Sequence, residues 1–220
     1  MLQENSGHYA RALSEQEIEK LSKDKVVLSE FKRNKLEIEA KKNWDLFYKR
    51  NKTKFFKDRH WTKREFEELA NYSSKCNKKP VLLEIGCGVG NFIFPLLSEG
   101  TEFFIHACDF SSKAIDLVKV LRPGGMLLMR DYGLYDQAML RFGPGHKLDE
   151  HFYVRQDGTR AFYFSEEYLG KLVTEAGFKI VSNKYVSRET VNHKESICVP
   201  RVYIQGKFVK PQLSDFDNTS

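Results

Sequence analysis

The sequence contains few cysteines and no long apolar run, and both absences narrow the class of protein. Its four cysteines include no Cys-x-x-Cys pair, so we expect neither a zinc site nor another metal site. Cys87 and Cys108 lie in core-like segments, which is typical of reduced thiols in a cytosolic protein. No apolar stretch approaches about 18 residues, and the N-terminus lacks the apolar region of a signal peptide, so we expect no membrane insertion.

The chain also has only a small excess of charge. It carries 36 Lys and Arg residues against 30 Asp and Glu residues, for a net charge of +6 over 220 residues. This mild basicity is compatible with a polyanionic partner such as a nucleic acid, but it does not require one.

A glycine-rich turn organises the chain. The apolar run Val81–Ile85 is followed by glycines at 86, 88 and 90 and then by a helical pattern. This order predicts a buried strand that turns tightly into a helix N-terminus. Because glycine has no Cβ, the backbone N–H groups of such a turn can approach a ligand closely.

An acidic residue follows the next apolar run. Asp109 lies 23 residues after Gly86, the separation at which a carboxylate meets the ribose hydroxyls of an adenosine-type cofactor. A glycine-rich turn that binds nothing is the alternative. The order of strand, glycines, helix and strand-end Asp favours the ligand site.

Local signals predict the remaining elements. Ser14 and Thr62 open capping boxes, and Asp136 and Ser165 are N-cap residues of further helices, the second of which ends at Gly177. Residues 152–164 are predicted to form a β-hairpin around an Asp-Gly turn, and residues 178–189 and 199–209 an antiparallel pair. The predicted organisation is a disordered start (1–13), a helical N-terminal arm (14–79), an α/β domain with an inserted hairpin (80–210) and a disordered tail (211–220).

The end of the arm interleaves aromatic and basic residues between positions 43 and 61. Aromatic rings in such a segment stack on a base or cover a cofactor, while the basic residues take phosphates. The alternative is that the aromatic residues only pin the arm to the domain, and the sequence leaves both roles open.

Together these motifs resemble those of a known family. The Glu-x-Gly-x-Gly-x-Gly turn from Glu84, the Asp-x-Ser at Asp109, the Leu-x-Pro-Gly-Gly break at 121–125 and the final hairpin resemble class I S-adenosylmethionine-dependent methyltransferases. Segments 43–61, 130–142 and 152–160 are similar to those of the tRNA 3-methylcytidine methyltransferases, above all the member associated with serine tRNAs and seryl-tRNA synthetase. The likeness covers nearly the whole chain from Ser14.

The resemblance implies an α/β, class I (Rossmann-like) sheet and S-adenosyl-L-methionine as cofactor. It implies methylation of the cytidine ring nitrogen N3 in the anticodon loop of serine tRNA. Neutral N3 already carries an in-plane lone pair, so alignment of the reacting groups and flipping of the base supply most of the rate. The implied partners are tRNA and seryl-tRNA synthetase, with no DNA and no membrane, in the cytoplasm and secondarily the nucleus.

The resemblance also assigns roles to residues of this sequence. The expected cofactor-binding residues are Trp44, Tyr48, Glu84, Gly86, Gly88 and Asp109. The expected catalytic residues, which would form the cytosine pocket, are Arg130, Asp131 and Tyr132. The expected RNA-binding residues are Lys57, Arg59, His60, Arg64, Arg155, Arg160 and Arg201.

One interval departs from the family pattern. Only 35 residues separate Gly90 from Gly125, whereas a single βαβ unit takes about 30 residues or more. We therefore expect an internal deletion with its junction between Lys119 and Val120, and the loss of about two strands. Val81–Ile85 would then pair directly with Met126–Arg130, and the sheet order would be the second strand, the first, the fifth and then the final hairpin pair.

The deletion leaves three functional hypotheses. In the first, the chain descends from the methyltransferase but binds the cofactor weakly and transfers little methyl. In the second, it is a non-catalytic module that binds tRNA or seryl-tRNA synthetase. A nicotinamide-dependent oxidoreductase also uses a glycine turn and a strand-end Asp, but that hypothesis leaves the arm and the final hairpin unexplained.

Overall fold

The computed structural model describes residues 11–70, 80–108, 124–192 and 197–212. The chain divides into two compact units. The antiparallel unit comprises Met1–Ala40 and Leu121–Ser220, and the glycine-turn unit comprises Lys41–Val120. The second boundary falls one residue after the deletion junction that the sequence predicts. The first boundary divides the predicted 14–79 arm between the units.

Within the described residues the helices are α1 (Glu15–Lys23), α2 (Glu30–Ile38), α3 (Ala40–Asn51), α4 (Thr62–Glu65), α5 (Glu67–Ala70), α6 (Ile93–Ser98), α7 (Gln137–Leu140) and α8 (Glu166–Glu175). The strands are β1 (Val81–Ile85), β2 (Phe104–Cys108), β3 (Met126–Tyr132), β4 (Lys147–Asp149), β5 (Phe152–Val154), β6 (Arg160–Phe162), β7 (Lys179–Asn192) and β8 (Ile197–Val209). Over the same ranges no helix combines the length and the apolar character needed to cross a bilayer.

The antiparallel unit is built on the three-stranded sheet β3-β8-β7, which is antiparallel throughout. Ile204 and Phe208 of β8 are fully buried. Helix α8 packs against β7, where the Asn183 side-chain amide donates to the Glu166 carbonyl at 2.7 Å and the Tyr185 N–H donates to the Glu166 carboxylate at 2.8 Å. The predicted final strand pair is therefore confirmed and forms the core of this unit.

A second small sheet, β4-β5-β6, anchors the N-terminal helices of the same unit. The Leu28 N–H donates to the Lys147 carbonyl and the Lys147 Nζ donates to the Asp24 carbonyl, both at 2.9 Å. Arg160 of β6 forms an ion pair with Glu37 of α2. The predicted hairpin at 152–164 thus gains a third strand that the sequence analysis missed.

The glycine-turn unit contains the parallel pair β1-β2, in which Val81 lies opposite Phe104 and Ile85 opposite Cys108. Helix α6 follows the glycine turn, and Leu96 on this helix is buried. The first part of the predicted sheet order, with the second strand beside the first, is confirmed.

The predicted pairing of Val81–Ile85 with Met126–Arg130 is wrong. In the described residues β1 pairs with β2 alone, and β3 pairs with β8 in a separate sheet. β3 gives one edge to the terminal hairpin, with seven paired positions from Met126 opposite Val209 to Tyr132 opposite Tyr203. Its other edge pairs with no strand among the described residues, so β3 is an outer strand of its sheet.

The capping box predicted at Thr62 is also wrong. Thr62 lies inside α4, with Trp61 at the N-cap position and no side-chain cap hydrogen bond. The sequence also predicts that this helix runs to about Leu69, but α4 ends at Glu65 because Phe66 adopts an extended backbone with φ −122° and ψ 96°. That conformation buries Phe66 in the unit.

Other local predictions are confirmed. Ser14 and Glu17 form the capping box of α1, while Asp136 and Ser165 cap α7 and α8. Gly177 follows α8 with a φ of +83°. Asp109 lies outside the described residues, as does most of both predicted disordered ends. The same holds for two further predictions from the sequence, a helix capped by Ser111 that runs to about Leu121 and, apart from Pro80, a polar linker from Asn71 to Pro80.

Candidate functional site

The glycine turn forms the first candidate site. Gly86, Gly88 and Gly90 have φ values of +77°, +51° and +83°, in the left-handed region that favours glycine. A Cβ at Gly90 would stand 2.6 Å from the Phe94 ring, whereas a Cβ at Gly86 would meet nothing within 4 Å. Gly90 is therefore required for packing of the turn itself, and Gly86 borders open space.

Gly88 allows helix α3 to lie close to the glycine turn. A Cβ at this position would collide with the hydroxyl of Tyr48 and stand 3.2 Å from the ring carbon that bears it. Trp44, one helical turn earlier, stacks on Tyr48 with ring centroids 5.9 Å apart and an interplanar angle of 29°. The structure thus brings together three of the predicted cofactor-binding residues, Trp44, Tyr48 and Gly88.

The other predicted cofactor residues lie on or after the strands that lead to this turn. Glu84 is half-buried in β1, opposite Ala107 and two residues before Gly86. Ile85 and Cys108 are paired, so the strand that precedes Asp109 ends beside the glycine turn. Asp109 itself lies outside the described residues. The backbone arrangement is that of a nucleotide-type site at the carboxyl ends of two parallel strands.

Asn91 is a residue of this region that the sequence analysis missed. Its side-chain amide donates to the Phe56 carbonyl at 3.1 Å and to the Asp58 carboxylate at 3.0 Å. Its carbonyl accepts the Arg59 N–H at 2.7 Å. Asn91 therefore fixes the segment around Phe56 directly after the glycine turn, and no sequence signal links two residues 35 positions apart.

The aromatic residues of the arm include a buried ring and an exposed one. Phe47 is buried and packs on Phe55 and Phe56, with ring centroids 4.9 Å and 5.9 Å away. Phe55, in contrast, is 59% exposed. Phe47 therefore packs the aromatic residues of the arm against one another, while Phe55 presents an aromatic face to solvent.

Four of the seven predicted RNA-binding residues are exposed within this arm, namely Lys57, Arg59, His60 and Arg64. The His60 ring nitrogen lies 3.9 Å from the Glu99 carboxylate, and Arg64 lies 3.8 Å from that of Glu65. The attraction within such exposed ion pairs is weak. The four side chains are therefore accessible to phosphate.

The other three predicted RNA-binding residues lie in the antiparallel unit and bind protein groups there. Arg155 donates to the Thr159 hydroxyl at 3.3 Å and to the Arg160 carbonyl at 2.9 Å. Arg160 pairs with Glu37 and lies over the Phe152 ring, 5.4 Å from its centroid. These guanidiniums hold the hairpin and α2 together.

Arg201 forms a bidentate ion pair with Asp136, whose carboxylate is fully buried. The distances are 2.9 Å from Nε and 3.1 Å from Nη2. The same carboxylate accepts the N–H groups of Val202 at 2.8 Å and Ala138 at 2.9 Å. Burial by itself would lower the pKa of Arg201, but the hydrogen bonds and attraction of Asp136 outweigh burial and raise that pKa. Arg201 is therefore a permanently charged structural group.

The three predicted catalytic residues lie at the end of β3, but they do not share one face of the sheet. Side chains alternate along a strand, so Arg130 and Tyr132 lie on one face and Asp131 on the other. Asp131 is exposed and its carboxylate accepts the Tyr132 N–H at 2.7 Å. The structure brings Arg130 and Tyr132 together with Tyr203 of β8: Arg130 lies over the Tyr203 ring at 5.0 Å, and the two tyrosine rings stack at 6.1 Å.

Metal ligation was not expected from the sequence. Among the residues that the structure describes, no group of three or more His, Cys, Asp or Glu side chains is placed to hold a metal ion.

Comparison with known proteins identifies relatives, although no family model matches the chain. The chain is 47% identical to the tRNA N(3)-cytidine methyltransferase METTL6 of Mus musculus over 265 residues, covering 94% of each chain. It is 34% identical to the tRNA N(3)-methylcytidine methyltransferase trm141 of Schizosaccharomyces pombe, covering 83% of this chain and 97% of that one. A solved SAM-dependent methyltransferase from Methanosarcina mazei is a remote structural neighbour, 14% identical with a TM-score of 0.43 over 67% of this chain and 99% of that one.

The comparison with METTL6 also bears on the expected deletion. The alignment with the mouse protein extends over 265 residues, whereas this chain has 220. The difference between these lengths means that the mouse protein carries at least 45 residues within the aligned region that this chain lacks. This agrees with the internal shortening that the interval between Gly90 and Gly125 predicts. The identities and coverages show that the chain belongs to the tRNA N(3)-cytidine methyltransferase family.

Proposed function

We propose that this chain is a shortened tRNA cytidine N3 methyltransferase of serine tRNAs that binds S-adenosylmethionine at the glycine turn. The observation that carries the proposal is the open space beside Gly86, where an added Cβ meets nothing within 4 Å. Trp44 and Tyr48 stack beside the same turn. A ligand with an extended polar arm and a flat base fits an open backbone turn bordered by aromatic rings.

The residues of the glycine-turn unit fit the parts of this cofactor. Backbone N–H groups at Gly86 and Gly88 would hold its carboxylate, and Glu84 would hold its amino group. Trp44 and Tyr48 would cover the bound molecule and exclude water. Asp109 would hold the ribose hydroxyls. When bound, S-adenosylmethionine supplies a methyl group that the cytidine N3 lone pair takes as the sulfur–carbon bond breaks.

The names of the relatives specify a cytidine in tRNA as the substrate, and the exposed basic arm supports the same class of ligand for this chain. Lys57, Arg59, His60 and Arg64 lie within eight positions and are exposed. Cations at this density would neutralise several phosphates of an RNA backbone. Serine tRNA and seryl-tRNA synthetase follow from the resemblance of the flanking motifs. The cytoplasm, and secondarily the nucleus, is the compartment we propose.

We further propose that the shortening impairs this activity. Parallel sheets are stable when helices cover both faces, and a sheet of two strands is marginal by itself. In the glycine-turn unit Val81, Phe94 and Phe104 are 68%, 64% and 57% exposed. A cofactor site built on so little buried structure would pay an ordering cost on binding, which weakens affinity.

Isothermal titration and a methyl-transfer assay test the proposal together. We expect no micromolar binding of S-adenosylmethionine and little transfer of labelled methyl to serine tRNA, with METTL6 of Mus musculus as the positive control. Whatever residual binding remains should disappear in Gly86→Val, which fills the open space. Micromolar binding by the wild-type chain would contradict the impairment, and residual binding that survives Gly86→Val would contradict the site.

The second candidate function is a non-catalytic module that binds tRNA or seryl-tRNA synthetase. The observation that favours it is the completeness of the antiparallel unit, in which Tyr163, Ile204 and Phe208 are fully buried. An electrophoretic shift with serine tRNA separates the two functions. Binding that does not depend on the cofactor, together with no methylation, favours the module, whereas methylation of the tRNA contradicts it.

A further inference from the structure

One face of the sheet β3-β8-β7 carries a concentration of basic residues. Alternation along the paired strands places these residues on the same face as Arg130 and Tyr132. The basic members are Arg130 on β3, Lys184 and Arg188 on β7, and Arg201 and Lys207 on β8. We call this surface the basic sheet face. The positions of this face are the alternate residues within 126–132, 182–188 and 201–209, and none of them is Asp or Glu.

A row of alternating guanidiniums and phenol rings crosses this face. Tyr132 and Tyr203 are directly opposed and stack at 21° between ring planes. Arg201 lies 5.4 Å from the centroid of each ring, and Arg130 lies 5.0 Å from that of Tyr203. Aromatic rings and guanidinium planes are the side-chain surfaces on which unpaired bases stack.

The Arg201–Asp136 ion pair holds this row in place. Asp136 is fully buried and fixes both Arg201 and the Val202 N–H of β8. The guanidinium is thereby kept against the two tyrosines. Arg201 is thus a positioning residue for the row.

Gln205 supplies a second, independent observation. It lies opposite both Arg130 and Lys184 in the sheet, so it occupies the centre of the same face. The residue is only 8% exposed, and its side-chain carbonyl oxygen has no hydrogen-bond partner among the residues that the structure describes. A buried acceptor of this kind costs free energy unless a donor reaches it. The exocyclic amine of a nucleobase is such a donor.

The opposite face of the sheet has a different character. It carries Ile204 and Phe208, which are fully buried, and it packs against α8 through Asn183 and Tyr185. Lys184 and Arg188, in contrast, are exposed. The sheet therefore has a core face and a basic, aromatic face. The second face is partly covered, because Val186 is buried on it and Tyr132 packs against Tyr163 with ring centroids 5.6 Å apart.

We propose that the basic sheet face binds unpaired nucleotides of RNA, with bases stacked on the Tyr203 row and phosphates on Lys184, Arg188 and Lys207. The inference rests on the proposed function in taking a tRNA loop as the ligand. It adds to that function a binding surface in the antiparallel unit, separate from the cofactor site at the glycine turn.

Fluorescence anisotropy with the full chain tests the proposal. The probe is a labelled anticodon stem-loop of a serine tRNA, compared with a blunt RNA duplex of the same length. Because stacking needs unpaired bases, we expect the stem-loop to bind at least about ten-fold more tightly than the duplex. Equal affinity for the two RNAs would overturn the stacking surface.

Substitutions locate the site. Tyr203→Leu should weaken stem-loop binding about ten-fold, while Tyr203→Phe should retain it. Gln205→Leu should weaken binding without lowering the urea midpoint of unfolding, because the native side-chain oxygen has no partner to lose. Wild-type affinity in both Tyr203→Leu and Gln205→Leu would overturn the proposal.

A matched pair of lysine variants tests the charge. Lys184→Ala should reduce the salt dependence of log K by about 0.7, the contribution of one phosphate contact to a single strand. Lys171→Ala removes an equally exposed charge from α8, on the other side of the sheet, and should leave binding unchanged. Equal losses in both variants would show general attraction and overturn the site. The assay needs no cofactor, so absent methylation with intact Tyr203-dependent binding would refute the proposed enzyme alone.

Discussion

The two units of this protein differ in how completely each buries its own elements. The antiparallel unit pairs β7 and β8 over most of their length and fully buries Tyr163, Ile204 and Phe208. The glycine-turn unit has two five-residue strands, and Val81 and Phe104 at their starts are 68% and 57% exposed. Burial of apolar area is the main stabilising contribution to folding. A shortened α/β chain can therefore keep a stable antiparallel part while the stability of its parallel part becomes marginal.

The largest expected effect is a separation of the two units in urea. Both tryptophans, Trp44 and Trp61, lie in the glycine-turn unit, so tryptophan fluorescence reports on that unit alone. We expect the fluorescence transition well below the main transition in far-UV circular dichroism, because a two-stranded parallel sheet is marginal. Coincident transitions would show that the units unfold together and would remove the contrast.

The second prediction concerns the buried ion pair of the antiparallel unit. Asp136→Ala leaves the Arg201 guanidinium without its partner and removes the cap of α7, so it should lower the free energy of unfolding by at least about 3 kcal/mol. Circular dichroism in urea measures this loss. The exposed Asp149→Ala is the matched control and should change stability by less than about 0.5 kcal/mol. An unchanged tryptophan transition in Asp136→Ala would confirm that the effect stays within one unit.

A pair of glycine variants probes the other unit. Gly86→Ala should lower the free energy of unfolding only by the backbone strain of a positive φ, about 1 kcal/mol. The space beside Gly86 is open, so the added Cβ contacts nothing. Gly88→Ala adds a collision with Tyr48, so its tryptophan transition should shift about twice as far. The difference should shrink when Tyr48→Phe removes the hydroxyl. Equal shifts for both glycines in the wild-type background would contradict the packing of Tyr48 on the turn.

The smallest predicted effect is a pH dependence in the antiparallel unit. Burial lowers the pKa of His151, with attraction to Glu150 opposing it and repulsion from Lys147 adding to it. Because the folded-state pKa lies below the unfolded value, this contribution to stability is present above about pH 6.5 and is lost as the pH falls. His151→Asn should remove less than about 1 kcal/mol of the stability difference between pH 8 and pH 5.

Asn suits position 151 because His151 has a φ of +56°, a conformation that asparagine tolerates. The control is His60→Asn, since the His60 side chain is 68% exposed. Urea midpoints at the two pH values measure the effect. An identical pH dependence in wild type and His151→Asn would show that another group is responsible.

Much of the local structure could be predicted from short signals. The caps at Ser14, Asp136 and Ser165 and the turn at Gly158 each depend on residues within a few positions, and each is present. The Thr62 capping box is absent because the helix begins at Thr62 itself, with Trp61 at the N-cap position, and the helix is short because the buried Phe66 is extended. Local signals therefore hold where packing does not oppose them.

The candidate sites likewise contain features that the sequence predicts and contacts that it does not. The glycine turn follows from the order of residues in the sequence, and the placement of Trp44 and Tyr48 at the cofactor site follows from the resemblance to the family. The Asp136–Arg201 pair joins residues 65 positions apart, and the link from Asn91 to Phe56 spans 35. No pattern in the sequence brings such residues together, because their contact depends on the register of paired strands and on the path of the arm.

The strand–glycine–helix turn, the capped helices, the two hairpins and the membership of the family could be predicted because each depends on neighbouring residues or on motifs in order. Three features appear only in the folded chain: β1 and β3 lie in different sheets, a buried carboxylate holds Arg201, and the basic residues of three strands share one face. Strand pairing is non-local, so its outcome depends on which partner buries the most apolar surface and satisfies the most backbone groups.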